Sequence, residues 1–407
     1  MTSSDNYLKE IENNFEKCLK DILSDEVETV ISCTLNPLTE KTANCSSVLR
    51  RAEIRYLDKK QTLSSVKFIL KVILPGKAGK HFEKYGIFDR EIYMYETVLP
   101  QMFQYLSSIG CMNKIAPSLM KILSNPVGIV LEDLCSQNYN VLDRKVGMNL
   151  EQTLSILENI AKFHAASVKI QESNPEIMKK LQKTAASEYF SSFYTFYKVM
   201  MSGLCEEVCK WPGFEDIAHK LLKLKFNIME KVLNIYQTPS SSCFNVLNHN
   251  DLWTTNCLFK YDEVGCLINS VLIDYQLPYW GSPAFDLNGF LFTSVDDNIR
   301  KQYWNYLIYY YHQILSGTLK DLKIKGKIPT VIEIHKEIME KGIRAVIAAC
   351  FTKALNILAT SDFIQLGPIL SESQEGLAQI RIIFSNPKFV EIIKPLLWEF
   401  YWMGYLD

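Results

Sequence analysis

His249-Asn250-Asp251-Leu252-Trp253-Thr254-Thr255-Asn256 sets a histidine, an aspartate and an asparagine on one short stretch, in the order H-x-D-x-x-x-x-N. An aspartate in such a loop can orient a hydroxyl and accept its proton, and an asparagine can offer an amide oxygen to Mg²⁺. Phosphoryl transfer needs little more than these two groups and a cation on the nucleotide phosphates. Asp251 is therefore the candidate base, Asn256 a candidate metal ligand, and His249 a brace for the loop. Three fixed residues are a weak signal alone, and the flanking chain strengthens it. Cys257 to Tyr261 and Leu267 to Ile273 flank Asp262-Glu263-Val264-Gly265, which predicts a hairpin. The second strand runs into Ile273-Asp274-Tyr275-Gln276, returning Asp274 to the loop as a second oxygen ligand for Mg²⁺. The alternative is a pair of turn aspartates that only cap strands.

Upstream, Lys71 stands in the apolar strand Phe68-Ile69-Leu70-Lys71-Val72, where a lysine needs a partner. Glu91, on the helical pattern through Ile87, Ile92, Tyr95, Val98 and Leu99, can pair with it and aim it at phosphate. Lys67 is a rival at an even spacing, and Lys71 is preferred because its neighbours are more densely apolar. A short strand, Gly128 to Leu131, leads into Glu132-Asp133-Leu134, whose backbone can meet an adenine edge. Strands are also predicted over Val48 to Leu57 and Ser65 to Leu74, the second ended by Pro75-Gly76, and Pro100 is expected to stop the Glu91 helix. An amphipathic helix is predicted over Tyr7 to Leu23, and further helices over Met148 to Ser167, Ala186 to Asn234 and from Asp296 onwards. The expected fold class is α+β. A two-lobed protein-kinase-like fold would have a nucleotide-binding lobe at 1–133, with antiparallel sheet and one helix, and a mainly helical lobe at 134–407.

Bulk properties agree. A chain of 407 residues exceeds one ordinary core, and 48% hydrophobic with 22% charged residues suits a globular protein. Balanced charge, 44 basic against 45 acidic residues, disfavours nucleic acid or an anionic membrane as partner. Eleven scattered cysteines without a C-x-x-C pair point to free thiols in a reducing compartment. With a polar Met1 to Glu10, and with Ala345 to Ala359 interrupted by Thr352 and Lys353, a cytoplasmic location is expected.

The blocks His249 to Asn256, Ile273 to Gln276 and Gly281-Ser282-Pro283-Ala284-Phe285-Asp286-Leu287 resemble the ecdysteroid kinase-like family, also called CHK-kinase-like. That family is related to the choline and aminoglycoside kinases. Phe68 to Pro75, Glu91 to Pro100, Val130 to Leu134 and Phe163-His164-Ala165-Ala166-Ser167 extend the resemblance in family order. It implies ATP, Mg²⁺ and a small alcohol as acceptor. It also implies that Lys71 contacts phosphate with Glu91 as its partner, that Asp251 is the base, that Asn256 and Asp274 hold metal, and that Asp286 braces the loop. His164 is expected to be structural. Two features depart from the family pattern. Asn250 stands where many relatives have glycine, and Leu38 to Ser47, expected over the phosphates, has none. Ser46 and Ser47 could supply hydroxyls and N–H groups there. Only Tyr275 to Phe285 separates Asp274 from Asp286, too short for a peptide platform. The aromatic set Tyr189, Phe190, Phe193, Tyr194, Phe196, Tyr197, Trp280, Trp304, Tyr306 and Tyr309 is a candidate lining for an apolar acceptor such as an ecdysteroid, another steroid or a xenobiotic. The competing readings are an inactive kinase fold that binds a ligand or partner, and a choline- or aminoglycoside-type kinase.

Overall fold

In a computed structural model of the chain, the described residues are 27–38, 47–73, 85–182, 194–236, 244–358 and 373–407, with Tyr7, Lys9, Ile11, Asn13, Phe15, Ile22, Leu23 and Ile369. The fold is α+β and kinase-like, an antiparallel five-stranded sheet followed by a mostly helical remainder. Strands β1 (Val27–Pro37), β2 (Ser47–Asp58), β3 (Leu63–Ile73), β4 (Leu119–Ser124) and β5 (Val127–Glu132) lie in the order β1-β2-β3-β5-β4. The β2–β3 turn is built on Asp58, whose Oδ1 accepts from the N–H groups of Lys60 and Thr62 at 2.8 Å.

The period of two along β3 sorts its side chains. Phe68, Leu70 and Val72 join Ala52, Ile54 and Val130 in one core, with Ile11, Phe15 and Ile22 of the leading segment packed on it. Those three residues have the burial expected of the amphipathic helix read from Tyr7 to Leu23. Ile69 and Lys71 face the other way, into the interlobe cleft. Opposite them in register, Leu49 pairs with Lys71 and Arg51 with Ile69 on β2, and Ile129 pairs with Lys71 on β5.

Past the sheet, helix α1 (Ile87–Tyr93) carries Glu91, and a π turn, Met94–Val98, joins it to α2 (Leu99–Ser108). Pro100 was expected to end this helix; instead it sits in the first turn of α2. The wider turn before it resets the hydrogen-bond register, so the proline ring meets no i−4 clash and its missing N–H is not needed.

The helical part surrounds α3 (Leu150–Ser173), which opens on a capping box between Asn149 and Gln152. Helices α4 (Tyr194–Val208) and α5 (Glu215–Ile235) replace one long predicted run, divided near Gly213, whose φ of 80° favours glycine. The predicted hairpin is present as β8 (Cys257–Tyr261) and β9 (Leu267–Leu272), with β6 (Tyr139–Val141) beside β8. A second small pair, β7 (Val246–Asn248) and β10 (Tyr279–Gly281), brackets the stretch His249 to Asn256. Helices α6 (Ala284–Thr293), α7 (Asp297–Asp321), α8 (Gly342–Ile347) and α9 (Pro387–Trp402) complete the elements used below. Among the described residues, no helix is long and apolar enough to cross a membrane.

Candidate active site

Lys71 is 4% exposed and Glu91 1%. The Lys71 ammonium donates to Glu91 Oε1 at 2.7 Å, lies 2.7 Å from Oε2, and donates to Asp274 Oδ1 at 2.7 Å. Burial opposes its charge, but Asp274 and Glu91 outweigh it and raise its pKa above that of an ordinary lysine. Burial likewise pushes the Glu91 carboxyl up, with Lys71 pulling the other way. The rival Lys67 lies near Glu53, at 3.6 Å, with both side chains over a third exposed. Both lysines share a face of β3, but β5 covers that strand only from Phe68 to Val72, so Lys67 falls beyond the cleft.

The stretch His249 to Asn256 is fixed mainly through backbone. Asp286, at the start of α6, accepts from the N–H of His249 at 2.7 Å and of Asn250 at 2.6 Å. Its carboxylate also meets His164 Nε2 at 3.1 Å, while His164 Nδ1 meets the Tyr311 hydroxyl at 2.7 Å. His249 Nε2 donates to the carbonyl of Ile273 at 2.9 Å, tying the loop to the end of β9, and its ring packs on Tyr275 with centroids 4.6 Å apart. Asn256 Nδ2 donates to the Asp251 carbonyl at 2.8 Å and to its Oδ2 at 3.2 Å. Burial and the like charge of Asp274 raise the Asp251 carboxyl, against the pull of His249 and Arg344. Asn250 and Asp274 both have left-handed backbones, φ 64° and 68°. Such strain persists where surrounding contacts hold it. Asparagine tolerates this region better than most residues, which suits it to position 250.

A cavity of about 340 Å³ lies between the sheet and this loop. Leu49, Ile69 and Leu131 line it from the sheet, Leu258 and Ile273 from the hairpin side, and Lys71, Glu91, Asn256 and Asp274 converge on one part of its wall. Glu132, Asp133 and Leu134 line it too, with their acidic side chains engaged elsewhere. Partial burial pushes Glu132 up, but hydrogen bonds from Lys114, Gln137 and Ser118 outweigh this and hold it at about 2. Asp133 accepts from Arg51 Nε at 2.7 Å and from Cys135 N at 3.1 Å. Of this segment's backbone, the Glu132 N–H donates to the Ser118 carbonyl at 3.0 Å, and the Asp133 carbonyl accepts from the Ser136 N–H at 3.1 Å and its hydroxyl at 2.6 Å.

Asp251 is not part of that wall and adjoins it through Asn256. Ser47 is buried at the start of β2, opposite Ile73, and does not line the cavity. Ser46 and the aromatic residues Tyr189, Phe190 and Phe193 lie outside the described residues. The remaining aromatic candidates do not wall the cavity. Phe196 and Tyr197 pack on Phe351, Trp304 on Phe292, Trp280 is buried in β10, and Tyr194, Tyr306 and Tyr309 are exposed on α4 and α7. Residue type and helical spacing alone do not separate core from cavity wall. Sequence reasoning assigned no part to Arg344 or Tyr236, which hold Asn250, or to Arg51; each stands outside the quoted motifs.

No curated protein matches the chain. Among solved structures it is similar to the amicoumacin kinase hAmiN in complex with AMP-PNP, Ca²⁺ and Ami, at 15% identity over 94% of this chain and 97% of that one, with a TM-score of 0.36. That likeness is too distant to bear on chemistry. The family model for the ecdysteroid kinase-like family matches residues 41–324, more than half of the sequence. The chain belongs to the ecdysteroid kinase-like family.

Proposed function

We propose that the chain is an ATP-dependent small-molecule kinase that phosphorylates a hydroxyl of an apolar metabolite, an ecdysteroid or a related steroid or xenobiotic. The observation that carries this is the convergence of Lys71, Glu91, Asp274 and Asn256 on one cavity, with Asp251 bonded to Asn256. In this reading the backbone of Glu132 to Leu134 meets adenine between the aliphatic walls, and Lys71, aimed by Glu91, meets phosphate. The donor set suits Mg²⁺. Among the described residues no group of three or more His, Cys, Asp or Glu side chains could cage a metal. Mg²⁺ on a nucleotide takes only one or two protein oxygens, with phosphates and waters supplying the rest. Asp274 and Asn256 would hold it; the Asn256 amide donates through nitrogen, so its oxygen is the atom available to a cation. Bound there, Mg²⁺ would offset phosphate charge. Asp251 orients the acceptor hydroxyl and takes its proton, while His249 and Asp286 keep the loop in place.

A small acceptor is supported by the stretch after Asp274. Tyr275 is buried, and Tyr279 to Gly281 are spent pairing with β7, so no segment there presents a peptide platform. The steroid class rests on the family resemblance. The test is ADP release with ecdysteroids, phenols, choline and aminoglycosides, with and without Mg²⁺. Turnover of apolar alcohols only with Mg²⁺ is expected. Efficient phosphorylation of choline or an aminoglycoside, with every apolar alcohol refused, would overturn the acceptor class and leave the kinase reading standing.

A further inference from the structure

Asn250 turns the loop into Asp251, and three helical elements hold three of its polar groups. Its N–H donates to Asp286 Oδ1 of α6 at 2.6 Å. Its side-chain Oδ1 accepts from the Tyr236 hydroxyl, at the C-terminal end of α5, at 2.8 Å. Its carbonyl accepts from Arg344 Nη2 of α8 at 3.2 Å. The left-handed φ of 64° has a cost for any residue with a Cβ, so these contacts act against a standing strain. Room for the guanidinium comes from Gly289 in α6, where a Cβ would stand 3.1 Å from Arg344 Nη2 and 3.5 Å from Cζ. Arg344 also lies beyond residues 41–324, so the family match says nothing of it.

We propose that Arg344 is a positioning residue for the reaction: by holding the Asn250 carbonyl it fixes the left-handed turn that aims Asp251 at the acceptor hydroxyl. This rests on the reading of Asp251 as the base. Arg344 reaches the loop carbonyl through Nη2, while its buried Nε has no hydrogen-bond partner among the described residues. A long side chain with a single donor is therefore enough, and lysine is expected to substitute well here despite the usual difference between the two residues.

The experiment is a double-mutant cycle in the full chain, read in two ways. Arg344→Met should lower kcat about tenfold to a hundredfold, as misplacement of a reacting group does. ATP affinity should stay within about twofold, because the nucleotide wall is untouched. Arg344→Lys should recover most of the loss. In the Asn250→Gly background, where the turn needs no holding, Arg344→Met should cost at least about fivefold less in kcat. The same non-additivity should appear in unfolding free energies from urea titrations of the four proteins. Additive effects in both readouts, or ATP affinity falling in step with kcat, would overturn the proposal. If the wild type phosphorylates no alcohol, the function reading fails, and the unfolding cycle alone then decides whether Arg344 holds the turn. Arg344→Gln replaces Arg344→Met in the cycle if the methionine variant does not fold.

Discussion

Asp251 and Asp274 are carboxylates of neighbouring segments held in different company. Asp274 is bound by the Lys71 ammonium, whereas Asp251 is bonded to a neutral amide and faces the charge of Asp274. Their removal should therefore have opposite signatures. Asp251→Asn should lower turnover by about 10² to 10⁴ with ATP affinity retained, since a base is lost and no nucleotide contact is. Asp274→Ala should instead abolish the Mg²⁺ dependence of ATP binding. Single-turnover rates and isothermal titration with and without Mg²⁺ separate the two, and swapped signatures would exchange the roles. Burial and the like charge of Asp274 raise the Asp251 carboxyl above the ordinary aspartate range, and a base works only when ionised. Turnover should thus be lost as pH falls through that raised value, placing the acid limb of the kcat/KM profile above the range of an ordinary aspartate. Lys71 and its partner were legible beforehand because a lysine among aliphatic residues demands a carboxylate. Arg344 was not, since an arginine near a helix start has many ordinary uses and only the folded contact with Asn250 singles it out.

The strand β3 carries Lys71 at a fixed height only if its neighbour β5 can approach closely. Gly128 permits this: a Cβ there would stand 2.6 Å from Val72 Cγ1 and 2.9 Å from the Lys71 carbonyl. Gly128→Val should therefore cost about 1–3 kcal/mol of stability, as overpacking does. It should also weaken ATP binding, because the displaced strand takes the ammonium with it. A urea midpoint and an ATP affinity measured together test this; loss of stability with unchanged affinity would show that β3 absorbs the shift without moving Lys71. At this scale the hairpin β8–β9 was the most legible element, since turn residues and alternation agree, and Gly265 takes the positive φ its turn needs. β1 and β4 were not foreseen. Both are edge strands, with no residue of β1 and one of β4 buried, and both are interrupted by register shifts, so neither alternates cleanly. The π turn at Met94–Val98 was hidden as well, because Pro100 reads locally as a stop.

Across the whole molecule the two cores differ in extent. The sheet buries a small cluster against the leading segment, while a far larger one runs from α1 to α9 and takes in Ile129 and Leu131 of β5. The cleft lies on the sheet face turned away from the small cluster: Ile69 and Leu131 in its wall pack with the large core, and Leu134, Leu258 and Ile273 with a third, minor cluster. The acceptor was less legible, because an aromatic residue in a helix serves core and cavity equally well. The large core has its own internal fastening. Arg300 is fully buried in α7, pairs with both oxygens of Glu399 in α9, lies 3.5 Å from Asp297, and stacks over Phe292 with its guanidinium carbon 4.2 Å from the ring centroid. Removing one partner of such a pair leaves a buried charge uncompensated, so Arg300→Ala should cost about 3–5 kcal/mol of unfolding free energy. None of these groups lines the cleft. Mg²⁺ and ATP at a hundredfold excess over Kd should therefore still add about 2.7 kcal/mol to the variant, as mass action adds to any protein whose native state binds ligand. Urea unfolding of wild type and variant, each with and without Mg²⁺ and ATP, decides the point. An increment reduced in proportion to the lost stability would mean that the α7–α9 fastening, through the large core, holds the cleft in shape.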